Sequence, residues 1–134
     1  MQKIIDKLAW LYIEDDKLLS ARSHGKALFY TPGGKREAGE SDEQALIREI
    51  KEEIAVDLIP SSIRYAATFE APADGKEAGV IVKLTCYFAE FDGELSASSE
   101  IEEIRFIDYA HKELFSIGGI KVMEWLKQQA LISE

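Results

Sequence analysis

Apolar and polar residues alternate along five short segments of the chain, a pattern that predicts strands with one buried face. Glu14-Asp15-Asp16 and Asp92-Gly93 are turn signals beside these segments. Residues 27–30 form another short extended piece, and Thr31-Pro32-Gly33-Gly34 is then expected to break regular structure. The predicted strands are residues 3–13, 17–22, 63–70, 80–91 and 104–109, with a loop at 73–79.

A period of 3.6 residues predicts two amphipathic helices. The first begins at Ser41 or Asp42, both good N-caps, and ends near Ile54. The second covers about residues 120–131, after Gly118-Gly119. Because strands outnumber helices, we expect an α/β (α+β) fold in which helices cover a mixed sheet. The apolar faces consist of Leu46, Ile47, Ile50 and Ile54 in the first helix and Val122, Met123, Leu126 and Ala130 in the second.

The first helix carries an acidic stripe that helix stability does not explain. Glu49, Glu52 and Glu53 have the spacing i, i+3, i+4, and each such like-charge pair destabilises a helix by roughly 0.2–0.5 kcal/mol. The acids also lie near the C-terminal end, where the helix dipole disfavours anions. Lys51 points away from the stripe and relieves little repulsion. The stripe is therefore either a solvated acidic face or a functional site at the edge of a cleft, and its acids need not be buried in the core.

A hard divalent cation would remove this conflict. Mg²⁺ and Mn²⁺ prefer oxygen ligands, and carboxylates at this helical spacing have Cβ atoms about 5–6 Å apart. Mg²⁺ is typically held by a few carboxylates together with substrate phosphates. Gly33-Gly34 lies just upstream, where bare backbone can approach a ligand. The pattern therefore predicts a metal site for a phosphate-bearing substrate.

Composition narrows the classes of partner. The chain has 134 residues, which suits one domain, and a net charge of −9, which disfavours binding to long nucleic acid. No apolar stretch approaches a membrane span, and no signal-peptide core follows Met1. Cys86 is the only cysteine and is expected in the core, which fits a cytoplasmic location. A small polyanion bridged by a divalent cation remains the favoured ligand, and a homodimer is left open.

The segment 34–56 resembles the signature of the Nudix hydrolase family, G-x5-E-x7-R-E-U-x-E-E-x-G-U, in which U is bulky aliphatic. Eight of the nine positions agree. The exception is Ala55 in place of glycine, which we expect to end the helix in a left-handed conformation that costs alanine about 1 kcal/mol, unless the turn is made differently. The positions are Gly34, Glu40, Arg48, Glu49, Ile50, Glu52, Glu53, Ala55 and Val56.

The resemblance implies a single Nudix domain over residues 1–134, with a mixed sheet sandwiched between helices. It also implies that Glu49, Glu52, Glu53 and the carbonyl of Gly34 hold Mg²⁺ or Mn²⁺. Glu40 and Arg48 match the pair that ties the preceding loop to the helix, although a surface ion pair is the alternative.

The expected reaction is hydrolysis of a diphosphate bond in a nucleoside diphosphate linked to a group X. Glu52 is the first candidate for the general base, with Glu53 beside it. Glu100 is the second candidate, on a loop after the sheet, although a solvated turn fits it equally well. The positions of Arg22 and Lys35 resemble ones that approach substrate phosphates, and Phe69 is a candidate for stacking on a base.

Other readings remain open at this level. Phe29, Tyr30, Phe69 and Tyr87 are aromatic residues of extended segments, which usually lie in the core. A Nudix-fold nucleotide-binding or sensor domain without catalysis is the alternative function, and the intact acids argue against it. The identity of the nucleotide depends on strands and loops outside the signature, so the sequence does not select among nucleoside triphosphates, nucleotide sugars and dinucleotides.

Overall fold

The computed structural model describes residues 3–73 and 79–133. Its two helices are separated by most of the strands, as expected from the hydrophobic pattern. Part of the predicted loop 73–79, namely residues 74–78, lies outside the described residues. The elements are β1 Lys3–Leu11, β2 Ile13–Glu14, β3 Lys17–Ser23, β4 Gly33–Gly34, α1 Asp42–Ile54, β5 Asp57–Leu58, β6 Arg64–Pro72, β7 Val80–Phe88, β8 Phe91–Asp92, β9 Ile101–Ile107 and α2 Ile117–Gln128, with 3₁₀ turns at Pro60–Ser62 and Tyr109–Leu114.

A mixed four-stranded sheet forms the centre of the fold, in the order β4-β1-β7-β6. β1 and β7 run parallel, whereas the other two pairs are antiparallel. A second sheet has the order β2-β3-β9, and β5 pairs with β8. The predicted mixed sheet is therefore confirmed.

The two faces of β1 bury different helices, because successive side chains of a strand point to opposite faces. Leu8 and Trp10 pack in one apolar cluster with residues of α1. Ala9 and Leu11 pack in the other with residues of α2. The sheet is thus sandwiched between the helices, and Cys86 is fully buried on the α2 face, as predicted.

Local sequence signals define both ends of α1. The Ser41 hydroxyl accepts from the backbone N–H of Gln44, and the Gln44 side chain accepts from the N–H of Ser41, which completes a capping box. Ala55 closes the helix with φ 65° and ψ 25°, the left-handed conformation that the family gives to glycine. Lys51 turns away from the acids, as expected, and it pairs with Asp57.

The last helix begins earlier than predicted. α2 starts at Ile117 and ends at Gln128, so both glycines lie in its first turn and Ala130 lies beyond its end with φ 59°. A Cβ at Gly119 would come 2.5 Å from Cδ1 of Phe115, so the glycine permits close packing on that ring. Tertiary packing here outweighs the low helix propensity of glycine.

The predicted bounds also differ from the observed ones in each of the five strands, by one to three residues at an end; the first, for example, stops at Leu11 and not at residue 13. β9 begins at Ile101 rather than 104 because its first residues pair with the end of β3, and it stops at Ile107. β7 ends at Phe88, and the chain pairs again only at Phe91–Asp92. Gly33–Gly34 does not break regular structure but pairs antiparallel with β1. Over residues 3–73 and 79–133, no helix has the length and hydropathy of a membrane span.

Candidate active site

The two glycines of β4 allow the backbone to approach both the sheet and α1. A Cβ on Gly33, which has φ 151°, would lie 2.0 Å from the carbonyl oxygen of Leu8. A Cβ on Gly34 would lie 2.3 Å from Oε2 of Glu49. Side chains at these positions would therefore separate the strand from β1 and from the acidic stripe.

Glu53 lies deeper than the sequence predicted. The residue is only 4% exposed, so this acid is buried although its place on the helical wheel did not require it. One carboxylate oxygen accepts from the N–H of Gly33 at 3.2 Å. Burial raises the pKa of Glu53 to about 8, and the negative charges of Glu49 and Glu100 also raise it. Without a cation, this carboxyl group is largely protonated at neutral pH.

Arg48 connects the loop before α1 to the acidic stripe. Its Nε and Nη2 donate to the two oxygens of Glu40, each at 2.8 Å, and its Nη1 donates to Glu49 at 2.7 Å. Nη2 also donates to the carbonyl of Lys35 at 3.1 Å. The bonds from Arg48 lower the pKa of Glu40 to about 2, and the N–H of Glu37 adds a smaller effect. Glu40 therefore stays ionised and orients Arg48.

The other two acids of the stripe differ in exposure. The Glu49 side chain is 17% exposed, and the Glu52 side chain is 55% exposed with an oxygen 3.6 Å from Nη1 of Arg48. The stripe thus grades from the buried Glu53 to the solvent-facing Glu52. Within residues 3–73 and 79–133, no three His, Cys, Asp or Glu side chains are already arranged to hold a metal ion.

Glu100 reaches the same site from the turn that precedes β9. It is exposed and lies in a loop, as expected, and its carbonyl accepts from the N–H of His24 at 3.0 Å. Its negative charge contributes to the raised pKa of Glu53. The preceding segment also closes α1, because the N–H of Ser98 donates to the carbonyl of Glu53 at 3.0 Å. The fold therefore brings both candidate bases near the buried acid.

Tyr30 is a polar neighbour of this site that the sequence suggested only as a core or stacking residue. Its hydroxyl hydrogen-bonds the hydroxyl of Ser23 at 2.7 Å. Burial raises the pKa of Tyr30 to about 12, with smaller contributions from the charges of Glu53, Glu100 and Glu49. Tyr30 thus lies close enough to the acids for their charges to affect its pKa, which no local pattern could show.

The three residues predicted to bind substrate are not gathered together. The Arg22 guanidinium pairs with Glu102 and Glu103, each at 3.1 Å, and Lys35 is exposed. The Phe69 ring lies 6.0 Å from that of Trp125, in the apolar cluster on the α2 face of the sheet. That face is opposite the one that α1 covers.

The donor set suits a hard cation by its chemistry. Glu49, Glu52 and Glu53 supply only oxygen ligands, and the backbone of Gly34 lies against the Glu49 carboxylate. Mg²⁺ needs few protein ligands when substrate phosphates and water complete its shell, so a preformed cage is not required. A cation would also displace the proton of Glu53, since metal binding to acids releases protons.

Comparison with known proteins places this chain in one family. The NUDIX domain family model matches residues 8–126. An ADP-ribose pyrophosphatase of Methanocaldococcus jannaschii is 33% identical over 98 residues, which cover 71% of this chain and 56% of that protein. The chain therefore belongs to the Nudix hydrolase family.

Solved structures agree on the fold. The E. coli ORF135 protein has a TM-score of 0.74 and 24% identity, with 99% of this chain and 96% of that chain covered. The MutT protein of Methanosarcina mazei Go1 has a TM-score of 0.77 and 15% identity, with 96% of each chain covered. At these identities the likeness is one of fold.

Proposed function

We propose that the protein is a metal-dependent pyrophosphohydrolase that cleaves a diphosphate bond in a nucleoside diphosphate linked to a group X. The observation that carries this proposal is that Arg48 binds both Glu40 and Glu49, while the Gly34 backbone lies against the Glu49 carboxylate. We call the pair of Arg48 and Glu40 the Arg48–Glu40 clamp. The similarity to the ADP-ribose pyrophosphatase of M. jannaschii covers about half of that protein's length. It makes ADP-ribose the first substrate to test.

In the proposed site, Glu49, Glu52, Glu53 and the Gly34 carbonyl hold Mg²⁺ or Mn²⁺. When bound, such a cation neutralises phosphate oxygens and lowers the pKa of a coordinated water. Arg48 orients Glu49, and the N–H of Gly33 orients Glu53. These contacts leave the acids in fixed positions before substrate arrives.

The proton of the attacking water needs an acceptor within hydrogen-bond reach. Glu52 is the preferred base because it is the most exposed acid of the stripe, with 55% of its side chain accessible. Glu100 is the second candidate, since it approaches from the turn before β9 and does not belong to the helical stripe. Of the substrate-binding candidates, Lys35 is exposed beside the site, whereas Arg22 must exchange its glutamate partners for phosphate.

The experiment is a substrate panel with ADP-ribose, nucleotide sugars, dinucleotides and nucleoside triphosphates, run with Mg²⁺, with Mn²⁺ and with excess chelator. We expect turnover with a cation and none in chelator. From ADP-ribose, the expected products are AMP and ribose 5-phosphate. Full turnover in chelator would contradict the metal mechanism.

Variants separate the two candidate bases. Glu52→Gln is expected to lower kcat by roughly 10²–10⁴, the scale of general-base catalysis, and Glu100→Gln by less. Glu43→Gln, an exposed change on the same helix, is the matched control and should retain parental turnover. Nucleotide binding without cleavage by the parent would instead favour the binding or sensor alternative.

A further inference from the structure

A four-residue network at the N-terminal end of α1 has no counterpart in the signature. Arg36, two residues after Gly34, donates from Nη1 to Asp42 at 2.6 Å and from Nη2 to Asp6 at 2.7 Å. The Tyr87 hydroxyl donates to the other oxygen of Asp42 at 2.6 Å. We call Asp6, Arg36, Asp42 and Tyr87 the Arg36 network. It joins β1, the loop after β4, the first turn of α1 and β7.

The register of β4 explains why Arg36 meets Asp6. Leu8 pairs with Gly34 and Ala9 with Gly33 in an antiparallel ladder. Continuing this register by two residues sets Arg36 opposite Asp6. Asp6 shares the strand face of Leu8, which is the face covered by α1. The ion pair between Arg36 and Asp6 therefore links the two chain segments just beyond the last backbone pair of β4 and β1.

The geometry of the network suits positioning better than stabilisation. Arg36, Asp6 and Asp42 are all about one-third to two-fifths exposed, and ion pairs of that kind contribute little to stability. The planar guanidinium, however, holds two carboxylates from different elements in a defined geometry. Tyr87 holds the β7 end of the network in place. Its ring packs against the core on the α1 side of the sheet, and its centroid lies 5.9 Å from that of the Tyr65 ring.

The segment held by this network is the one that touches the acids. Gly34 has no room for a Cβ against Glu49, and the carbonyl of Lys35 accepts from Arg48. The backbone of residues 33–35 is thus fixed by β1 on one side and by Arg48 on the other. Arg36 is the next residue, and its two ion pairs fix the chain where the backbone ladder ends.

We propose that the Arg36 network is a positioning device that holds residues 34–36 against α1, so that the Gly34 carbonyl and the Glu49 carboxylate are aligned for a divalent cation and the substrate diphosphate. Its catalytic consequence rests on the function proposed above. Arg36 acts through the backbone and through Asp42, not by contact with the reacting atoms.

The test compares the parent with Arg36→Gln, Arg36→Lys and Asp6→Asn. Three measurements are made: amide hydrogen exchange at residues 34–36 without metal, the Kd for Mn²⁺ alone, and kcat and KM on the best substrate of the panel. Arg64→Gln is the matched control, since this arginine lies on β6 of the same sheet and stacks on Phe88, outside the network.

For Arg36→Gln we expect faster exchange at residues 34–36, a Kd for Mn²⁺ raised by about tenfold, and kcat lowered by about tenfold, the scale of losing a group that orients metal ligands. Asp6→Asn should shift each value in the same direction, and Arg36→Lys should restore part of the loss, because lysine keeps the charge but not the fork. The control should match the parent.

Unchanged exchange at residues 34–36 together with Mn²⁺ affinity within twofold of the parent would overturn the inference, whatever the activity. If Arg36→Gln fails to fold, Asp6→Asn and Tyr87→Phe decide the question by the same measurements. A parent that binds Mn²⁺ but cleaves nothing would refute the proposed function alone. A parent that binds no Mn²⁺ would overturn both.

Discussion

Glu53→Gln in metal-free protein is the sharpest test of the buried acid. In the parent, the N–H of Gly33 donates to a carboxylate oxygen of Glu53 at 3.2 Å. Glutamine keeps the shape of the side chain, and its amide oxygen can still accept this hydrogen bond. It removes only the ability to ionise. Because Glu53 is 4% exposed, its ionised form is costly in the folded chain, which is why burial raises its pKa to about 8.

The sign of the effect follows from proton binding. The folded state holds the proton of Glu53 up to a pH of about 8, whereas the unfolded chain loses it near its ordinary value of 4.5. The free energy of unfolding is therefore unaffected by this group below that value, falls as the pH rises between the two values, and levels off above them. Glutamine has no such dependence, so the variant is expected to be the more stable protein at high pH.

The magnitude is several kcal/mol. At about 1.36 kcal/mol for each pKa unit, the full shift corresponds to about 5 kcal/mol, and entry of water around the carboxylate lowers this to about 2–4 kcal/mol. The assay is denaturant unfolding of both proteins at pH 5, 7 and 9 in excess chelator. The difference between them cancels the contributions of the other titrating groups.

The expected result is a difference of less than about 1 kcal/mol at pH 5 that grows in favour of Glu53→Gln up to pH 9. Glu52→Gln serves as the control, since its exposed side chain should give a difference of less than about 0.5 kcal/mol at each pH. Parallel pH profiles for the parent and Glu53→Gln would refute the reasoning. Added Mg²⁺ should then stabilise the parent more than the variant, because the cation takes the place of the proton.

Three further predictions follow from single contacts. Ala55→Gly should leave the denaturant midpoint nearly unchanged or slightly raised. Relief of about 1 kcal/mol of backbone strain at φ 65° offsets the cost of about 0.4–1 kcal/mol that glycine's freedom in the unfolded chain adds. A fall of about 1 kcal/mol or more in the free energy of unfolding would contradict the left-handed cap. Ser41→Ala should lower the free energy of unfolding by about 1 kcal/mol through loss of the capping box, and a loss near zero in thermal denaturation would count against it. Arg48→Lys should lower kcat about 10–100-fold with little change in unfolding midpoint, since lysine cannot serve Glu40 and Glu49 together; parental kinetics on the best substrate would show that the clamp is dispensable.

Features that depend on a few neighbouring residues could be predicted from the sequence. The bounds of α1 are correct because its cap, its first turn and its apolar period all lie within the helix and its two flanking residues. The acidic stripe and the glycine position taken by Ala55 belong to the same local group. The strands were found but not their ends, because the last residues of a strand are set by the partner they pair with.

Features that depend on distant partners appeared only in the tertiary structure. Gly33–Gly34 becomes a strand because β1 pairs with it, and that pairing in turn brings Arg36 opposite Asp6. The helical wheel placed Glu53 beside the apolar face, but only packing of α1 on the sheet and β4 excludes water from it. Helical period and capping are encoded within a few residues, whereas strand pairing, burial and the pKa of a carboxyl group depend on residues far apart in the chain. For that reason the sequence by itself determined the acidic stripe and its helix, and the tertiary structure decided which acid is buried and what holds the facing loop.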